Sequence, residues 1–200
     1  MTLRLVLLVL AYLIGSIPTA FLLVRLLGRG DVRTIGSGNV GATNTLRAAG
    51  WRAALVVLVV DVAKGALAVV LMRQAGAGPA WSAAAGFAAV IGHCFPVWLS
   101  FAGGKGVATA VGALALVAPA VVPVGAAVWL AVIVASRYVA LASVVAAITI
   151  PFAAWRLARP TPAVLAWVAA IVAIVIWRHR RNLARLARGT EPKFGKRGTS

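Results

Sequence analysis

The run from Val107 to Ala135, VATAVGALALVAPAVVPVGAAVWLAVIVA, decides how this chain folds. It carries no charge, and it is longer than the ~20 apolar residues a helix needs to cross a bilayer. Pro119 and Pro123 lie near its middle. Each removes a backbone donor and crowds the preceding turn, so the run is either one kinked span or two short helices folded as a hairpin. Charge on either side of it separates the two readings.

Five further runs have membrane character: Leu3 to Val24, Ala53 to Met72, Ala80 to Phe101, Val139 to Trp155 and Ala163 to Trp177. The apolar N-terminal run lacks a small-x-small cleavage site ahead of a soluble domain, and we read it as a retained span. If Val107–Ala135 is a hairpin, the chain has seven segments with its N-terminus outside. One face then receives Arg25, Arg29, Arg33, Arg47, Arg52, Lys105, Arg137 and the eight bases from Arg178 to Arg197, while Arg4, Arg73, Arg156 and Arg159 lie on the other. The positive-inside rule selects this layout. A single kinked span would separate Arg137 from the basic tail or the tail from the early loop. Each half of the hairpin is short, roughly 12 residues or about 18 Å.

Composition agrees with this reading. Hydrophobic residues make up 62% of the chain, charged residues 12%, and the mean hydropathy is +1.00, well beyond an average soluble domain. The 20 Lys and Arg against three acids, Asp31, Asp61 and Glu191, sit between apolar runs. They read as membrane flanks and anion donors, and no nucleic-acid partner is expected. Trp51, Trp81, Trp155 and Trp177 fall near ends of apolar runs, as interfacial aromatics do. The single Cys94 excludes an internal disulfide. The expected fold is all-α and polytopic, one integral-membrane domain over residues 1–200 with a cytoplasmic basic tail from about 178 to 200.

Two spans carry features that a plain anchor does not need. Gly15-Ser16-Ile17-Pro18-Thr19 breaks the first helix, and its freed carbonyls require partners inside the protein. Asp61 and Lys64, three apart in the second span, share a helical face and can neutralise each other in lipid. We read them as a structural ion pair.

The loop between these spans holds Gly36-Ser37-Gly38-Asn39-Val40-Gly41, spaced as a dinucleotide-binding fingerprint, with Asp61 twenty residues further on. That fingerprint needs a strand before it and a parallel strand ending near the acid. Neither is present: Arg29 to Arg33 is no buried strand, and Asp61 lies in a membrane-length run. The spacing still lets backbone N–H groups converge on an anion. Ser37, Asn39, Thr43, Asn44 and Arg47 add side-chain donors, which together suit a phosphate. Gly103-Gly104-Lys105-Gly106 sets one lysine among flexible amides at the mouth of a helix. It is not a nucleotide P-loop, since Leu99 replaces the first glycine and Gly106 the magnesium-binding hydroxyl. Arg178-His179-Arg180-Arg181-Asn182 is a third polar cluster, and in the seven-segment layout all three share a face.

Counting excludes other chemistries. With His93 and His179 as the only histidines and three scattered acids, neither a Ser-His-acid triad nor a metal site is expected. The H-x-x-x-x-D acyltransferase signature is absent, because Trp98 follows His93 and Ala184 follows His179 at that spacing. His93 reads as a packing or hydrogen-bonding residue. Catalysis must then rest on anion binding and positioning.

Six motifs in order, GSIPTAF, GSGNVGATNTLR, DVAKG, GHCFPVWLSFAGGKGVAT, RYVALAS and HRRNLARLARGTE, resemble the acyl-phosphate-dependent glycerol-3-phosphate acyltransferase (PlsY) family of bacterial membrane enzymes. The resemblance implies transfer of a fatty acyl group from acyl phosphate to the 1-hydroxyl of glycerol 3-phosphate, giving lysophosphatidic acid and phosphate. It implies an active site facing the cytoplasm from the cell membrane, no cofactor or metal, and a functional link to a soluble enzyme that makes acyl phosphate. By motif position, Ser37, Thr43, Arg47, Lys105, Ser143, His179 and Asn182 would contact substrate phosphates, with Gly38, Gly41, Gly103, Gly104 and Gly106 supplying amides. The family's mechanism is substrate-assisted, the acyl phosphate's own phosphate taking the hydroxyl proton. Ala20, Ala102 and Ala140 depart from the common pattern; the last two remove possible donors. Glu191 is expected to tie the basic tail to the cytoplasmic loops. A transporter for an organic phosphate is the alternative, since broken helices and glycine-rich anion sites also serve transport.

Overall fold

The structure, a computed structural model, describes residues 1–195. Lys196 and Arg197, counted with the basic tail above, lie outside the described residues. Every regular element among the described residues is helical, and the chain divides into two compact units at Val117–Ala118.

The first unit contains α1 (Thr2–Ser16), α2 (Thr19–Leu26), α3 (Ala42–Gln74), α4 (Pro79–Cys94) and α5 (Val107–Val117). α1 and α2 are two parts of one apolar run, parted at Ile17 and Pro18, where Pro18 cannot donate a helical hydrogen bond. α3 is kinked at Gly50, whose φ of 82° is left-handed and open to glycine at no steric cost. The loop helix Ala42–Ala49 therefore runs on into the membrane-length segment after a single deflection. α3 packs against α1, α2, α4 and α5, and α1 against α4. At the α3–α5 crossing, Gly65 faces the Thr109 carbonyl and Gly112 faces the Val62 carbonyl so closely that neither position has room for a Cβ. Small residues let the two backbones meet where lipid gives no hydrophobic drive.

The second unit contains α6 (Val121–Ser136), α7 (Val139–Ala153), a π-helical turn (Ala154–Ala158), α8 (Pro162–Arg178) and α9 (Arg180–Ala187). α7 packs against both α6 and α8. α8 and α9 are bent by 50° at His179.

The run that opened the sequence reading forms two helices, α5 and α6, separated by Ala118–Ala120. Pro119 sits in the break and Pro123 in the first turn of α6, where its missing N–H would be unsatisfied anyway. Among the described residues, four segments are long and apolar enough to cross a membrane: Thr2–Leu26, Ala42–Gln74, Pro79–Leu99 and Val139–Ala158. A fifth is available if α8 and α9 form one bent span. α5, with 11 residues, and α6, with 16, reach about 16 Å and 24 Å against a hydrocarbon core of ~30 Å. Leu3, Val6, Val9, Leu55, Val59, Leu130, Val134, Ile148 and Phe152 all face outward. Such a surface suits lipid, and the protein is an integral membrane protein.

Candidate functional site

The first glycine loop is a built structure. Val32 and Val40 are buried with Ala20 and Val24 of α2, Val57 of α3 and Leu99, which pins the loop at both ends. Asp31 accepts the Arg33 backbone N–H at 2.9 Å and pairs with its guanidinium at 2.7 Å. The Arg33 side chain also lies 5.0 Å from the Phe21 ring centroid, joining this corner to α2. Its hydrogen bonds hold the Asp31 carboxyl below its ordinary pKa, and the same pair raises that of Arg33.

Asn44 is the loop's internal brace. It is 1% exposed; its Oδ1 accepts the Ser37 N–H at 3.0 Å, and its Nδ2 donates to the Val32 and Ile35 carbonyls at 2.8 and 2.9 Å. The chain wraps this amide by turning through left-handed Gly36 and Gly38. Ser37, Gly38 and Arg47 remain exposed, with Asn39, Gly41 and Thr43 half-buried. Gly41 begins α3 without a side-chain cap, and no acid occupies the first turn. The positive end of the helix thus adjoins the loop's donors, an arrangement that favours an anion.

The second glycine loop folds back onto the end of α4. Gly104 N–H donates to the His93 carbonyl at 3.0 Å and Gly103 N–H to that of Cys94 at 3.2 Å. Gly103, Gly104 and Gly106 are buried and Lys105 is half-buried, immediately ahead of α5.

Behind this loop lies a buried polar cluster. Lys64 Nζ donates to Asp61 Oδ1 and to the Ile17 carbonyl, both at 2.6 Å. The expected ion pair is formed, and the lysine also satisfies the carbonyl freed by the break between α1 and α2. Thr19 Oγ1 donates to the same Asp61 oxygen at 3.2 Å, and His93 Nδ1 approaches it at 3.8 Å. Ile17, Thr19, Val40, Asp61, Lys64, His93 and Pro96 help line a cavity of about 10 Å³. Val40 belongs to the first loop and Pro96 begins the second, so the two loops are rooted around one point of this unit. Tyr12, whose hydroxyl donates to the Phe95 carbonyl at 2.8 Å, escaped the sequence reading, which named Thr19 at the helix break but gave its hydroxyl no role. A hydroxyl next to a helix break was the available signal for Thr19.

In the second unit, Ser143 on α7 is buried; its hydroxyl donates to the Val139 carbonyl at 2.8 Å and accepts from Trp129 Nε1 at 3.2 Å. Trp129 was hidden in an apolar run. His179 is buried at the α8–α9 bend, with Nδ1 2.7 Å from the Val175 carbonyl. A carbonyl can only accept, so Nδ1 carries the proton. Asn182 Nδ2 donates to Glu191 Oε1 at 2.6 Å, and Arg185 Nε to Oε2 at 2.7 Å. Glu191 therefore clamps the tail onto α9, while Phe194 N–H reaches the Arg137 carbonyl at 2.7 Å in the α6–α7 turn. Among the described residues, no three His, Cys, Asp or Glu side chains are grouped as metal ligands.

A family model described as glycerol-3-phosphate acyltransferase matches residues 5–189. The chain is 48% identical over 198 residues to the glycerol-3-phosphate acyltransferase of Rubrobacter xylanophilus, covering 98% of this chain and 97% of that protein. It is 47% identical over 187 residues to that of Jannaschia sp., covering 94% and 91%. It is similar to a crystal structure of PlsY (YgiH), an integral membrane glycerol 3-phosphate acyltransferase, in its glycerol 3-phosphate form, with TM-score 0.90 and 39% identity over 96% of each chain. The lysophosphatidic acid form of that protein gives TM-score 0.88 and 38% identity over 96% of this chain and 95% of that one.

Proposed function

The chain belongs to the glycerol-3-phosphate acyltransferase family, and from that premise we propose that it acylates the 1-hydroxyl of glycerol 3-phosphate from an acyl phosphate donor. The products are lysophosphatidic acid and inorganic phosphate. The two units act as one acyltransferase domain in the cell membrane, crossing it in seven segments, with the N-terminus outside and the glycine loops and basic tail in the cytoplasm. The donor reaches it from a soluble enzyme that makes acyl phosphates.

One observation carries the reading: the braced first loop, which presents the Ser37 side chain and the backbone of residues 39–41 beside the uncapped start of α3, one and a half turns from Arg47. Such a loop binds an anion without rearranging, and a preformed site contributes most when charge changes hands in the transition state. Ser37, Thr43, Arg47 and Lys105 in the first unit and Ser143, His179 and Asn182 in the second are assigned to the two substrates' phosphates. Asn39, Gly41 and Gly106 are assigned as further donors, whereas the N–H groups of Gly38, Gly103 and Gly104, expected from the motifs to face substrate, already donate to the Ile35, Cys94 and His93 carbonyls. Asn44 serves by holding the loop.

The chemistry then needs little from the protein. The glycerol oxygen attacks the acyl carbonyl carbon, the bond from that carbon to the phosphate oxygen breaks, and the hydroxyl proton passes to the departing phosphate. A substrate-assisted route suits the acids present: Asp31 is paired with Arg33, Asp61 with Lys64 and Glu191 with Arg185. Holding two reactants in line contributes on the order of 7 to 11 kcal/mol to such a transfer. Purified protein in lipid should release phosphate and lysophosphatidic acid from acyl phosphate and glycerol 3-phosphate. Absence of turnover in lipid would overturn the assignment. Uptake of glycerol 3-phosphate into protein-containing vesicles without acyl transfer would instead support the transporter.

A further inference from the structure

The buried cluster behind the second glycine loop has no place in the transfer step, yet it is built with more polar contacts than a lone ion pair requires. A salt bridge buried this deeply is seldom a net source of stability, because desolvating both charges offsets much of their attraction. Here the pair is tied outward in two directions. Lys64 grips the Ile17 carbonyl at the helix break at 2.6 Å, and Asp61 Oδ1 receives Thr19 and lies 3.8 Å from His93 Nδ1.

The far edge of the His93 ring meets the second glycine loop. A Cβ built on Gly104 would overlap His93 Nε2 and lie 2.8 and 2.9 Å from Cδ2 and Cε1. The Gly104 N–H also takes the His93 carbonyl. Gly104 is thus seated on one histidine by both its backbone and its missing side chain, and the next residue is Lys105. The adjoining cavity, about 10 Å³, has room for one water at most. Glycerol phosphate cannot enter it, so these side chains act at one remove from the substrates.

We propose that His93, backed by Asp61 at 3.8 Å and through it by Lys64, is the positioning residue that sets the backbone of Gly103–Gly106 and thereby the placement of Lys105. This rests on the assignment of Lys105 to a substrate phosphate. The line from the Ile17 carbonyl through Lys64, Asp61 and His93 to Gly104 joins the break between α1 and α2, the middle of α3, the end of α4 and the start of α5. A displacement of about 1 Å at a positioned group can lower turnover on the order of 100-fold, so the supporting histidine carries a large share of the lysine's effect.

The test is a double-mutant cycle between His93 and Lys105 in the full-length protein in nanodiscs, read as kcat/KM for glycerol 3-phosphate with thermal unfolding measured in parallel. H93A should lower kcat/KM by about 10- to 100-fold, and H93Q, which keeps a polar group of similar reach, should recover most of it. In a K105A background H93A should change kcat/KM by less than about 2-fold, because the two act through one contact. Should H93A fail to fold, G104A displaces the loop from the other side of the same contact and enters the same cycle. Full additivity with Lys105, or the same loss in H93Q as in H93A at unchanged stability, would overturn the positioning role while leaving the active-site assignment standing. A K105A protein with undiminished turnover would overturn the assignment of Lys105 and this inference with it.

Discussion

Replacing Asn44 with Ala separates a residue that binds substrate from one that shapes the loop that does. The substitution removes three hydrogen bonds, to the Ser37 N–H and to the Val32 and Ile35 carbonyls. A buried group left without its partner costs about 1 to 3 kcal/mol. The Val32 carbonyl is the most enclosed of the three, since its residue is fully buried, whereas Ser37 is exposed and its N–H can turn to water. Counting one full penalty and two smaller ones gives roughly 2 to 4 kcal/mol against the folded loop. That lowers the ratio of ordered to open loop by about 30- to 1,000-fold. Hydrogen exchange by mass spectrometry on residues 32–41, alongside two-substrate kinetics, reads both sides of the argument. N44A should lose protection across the loop and lose kcat/KM, while the peptides of α4 and α5 keep their protection. A raised KM with loop protection unchanged would refute the brace and make Asn44 a direct phosphate ligand, as its place in the motif first suggested.

Three other expectations follow from the same geometry. K64M leaves the Asp61 carboxylate buried without its cation and should destabilise the protein by about 3 to 5 kcal/mol, and D61N combined with K64M should recover much of that; equal unfolding temperatures for the single and double variants would contradict the pairing. E191A frees Asn182 Nδ2 and Arg185 Nε and should lower yield and unfolding temperature by the loss of about 1.5 to 3 kcal/mol per charged hydrogen bond at most; a variant as stable as the parent but inactive would contradict a clamp. Asp31, depressed by Arg33, contributes to loop order above its ordinary pKa of 3.8 and loses that contribution as pH falls through the lower folded value. Its carboxyl carbon should therefore titrate below 3.8 by NMR in the parent and return toward 3.8 in R33Q, and an unmoved midpoint in R33Q would dismiss the pair.

The features legible in the sequence were those set by covalent chemistry or by the cost of polarity in lipid. Pro18 had to break the first helix and Pro119 the long apolar run. An acid and a base three residues apart in a membrane-length helix had to meet. The direction of side chains was not legible in the same way. Asn44, Asn39 and Ser37 all read as donors near glycine, and only the fold shows that the Asn44 amide points inward at Val32 and Ile35 while Ser37 faces outward. The first loop also hid a helix: Gly50 reads as a boundary and its φ of 82° does interrupt the helix, but residues 42–49 ahead of it are helical and lead directly into the membrane-length segment. Glu191 was expected to fasten the tail to loops; its partners are on α9, since the chain doubles back after Gly189 within hydrogen-bond reach of its own last helix. The number of crossings was the least legible feature, because the 11 apolar residues of α5 satisfy a hydropathy pattern at about half the length of a full span.

The central claim, that the braced glycine loops serve acyl transfer from a phosphate donor, is tested most directly by one assay in lipid. Purified protein is given glycerol 3-phosphate with either acyl phosphate or acyl-CoA, and lysophosphatidic acid and free phosphate are followed together. Equal amounts of both products from acyl phosphate, with none from acyl-CoA, is the predicted result. Lysophosphatidic acid formed from acyl-CoA alone, or neither product from either donor, would contradict it.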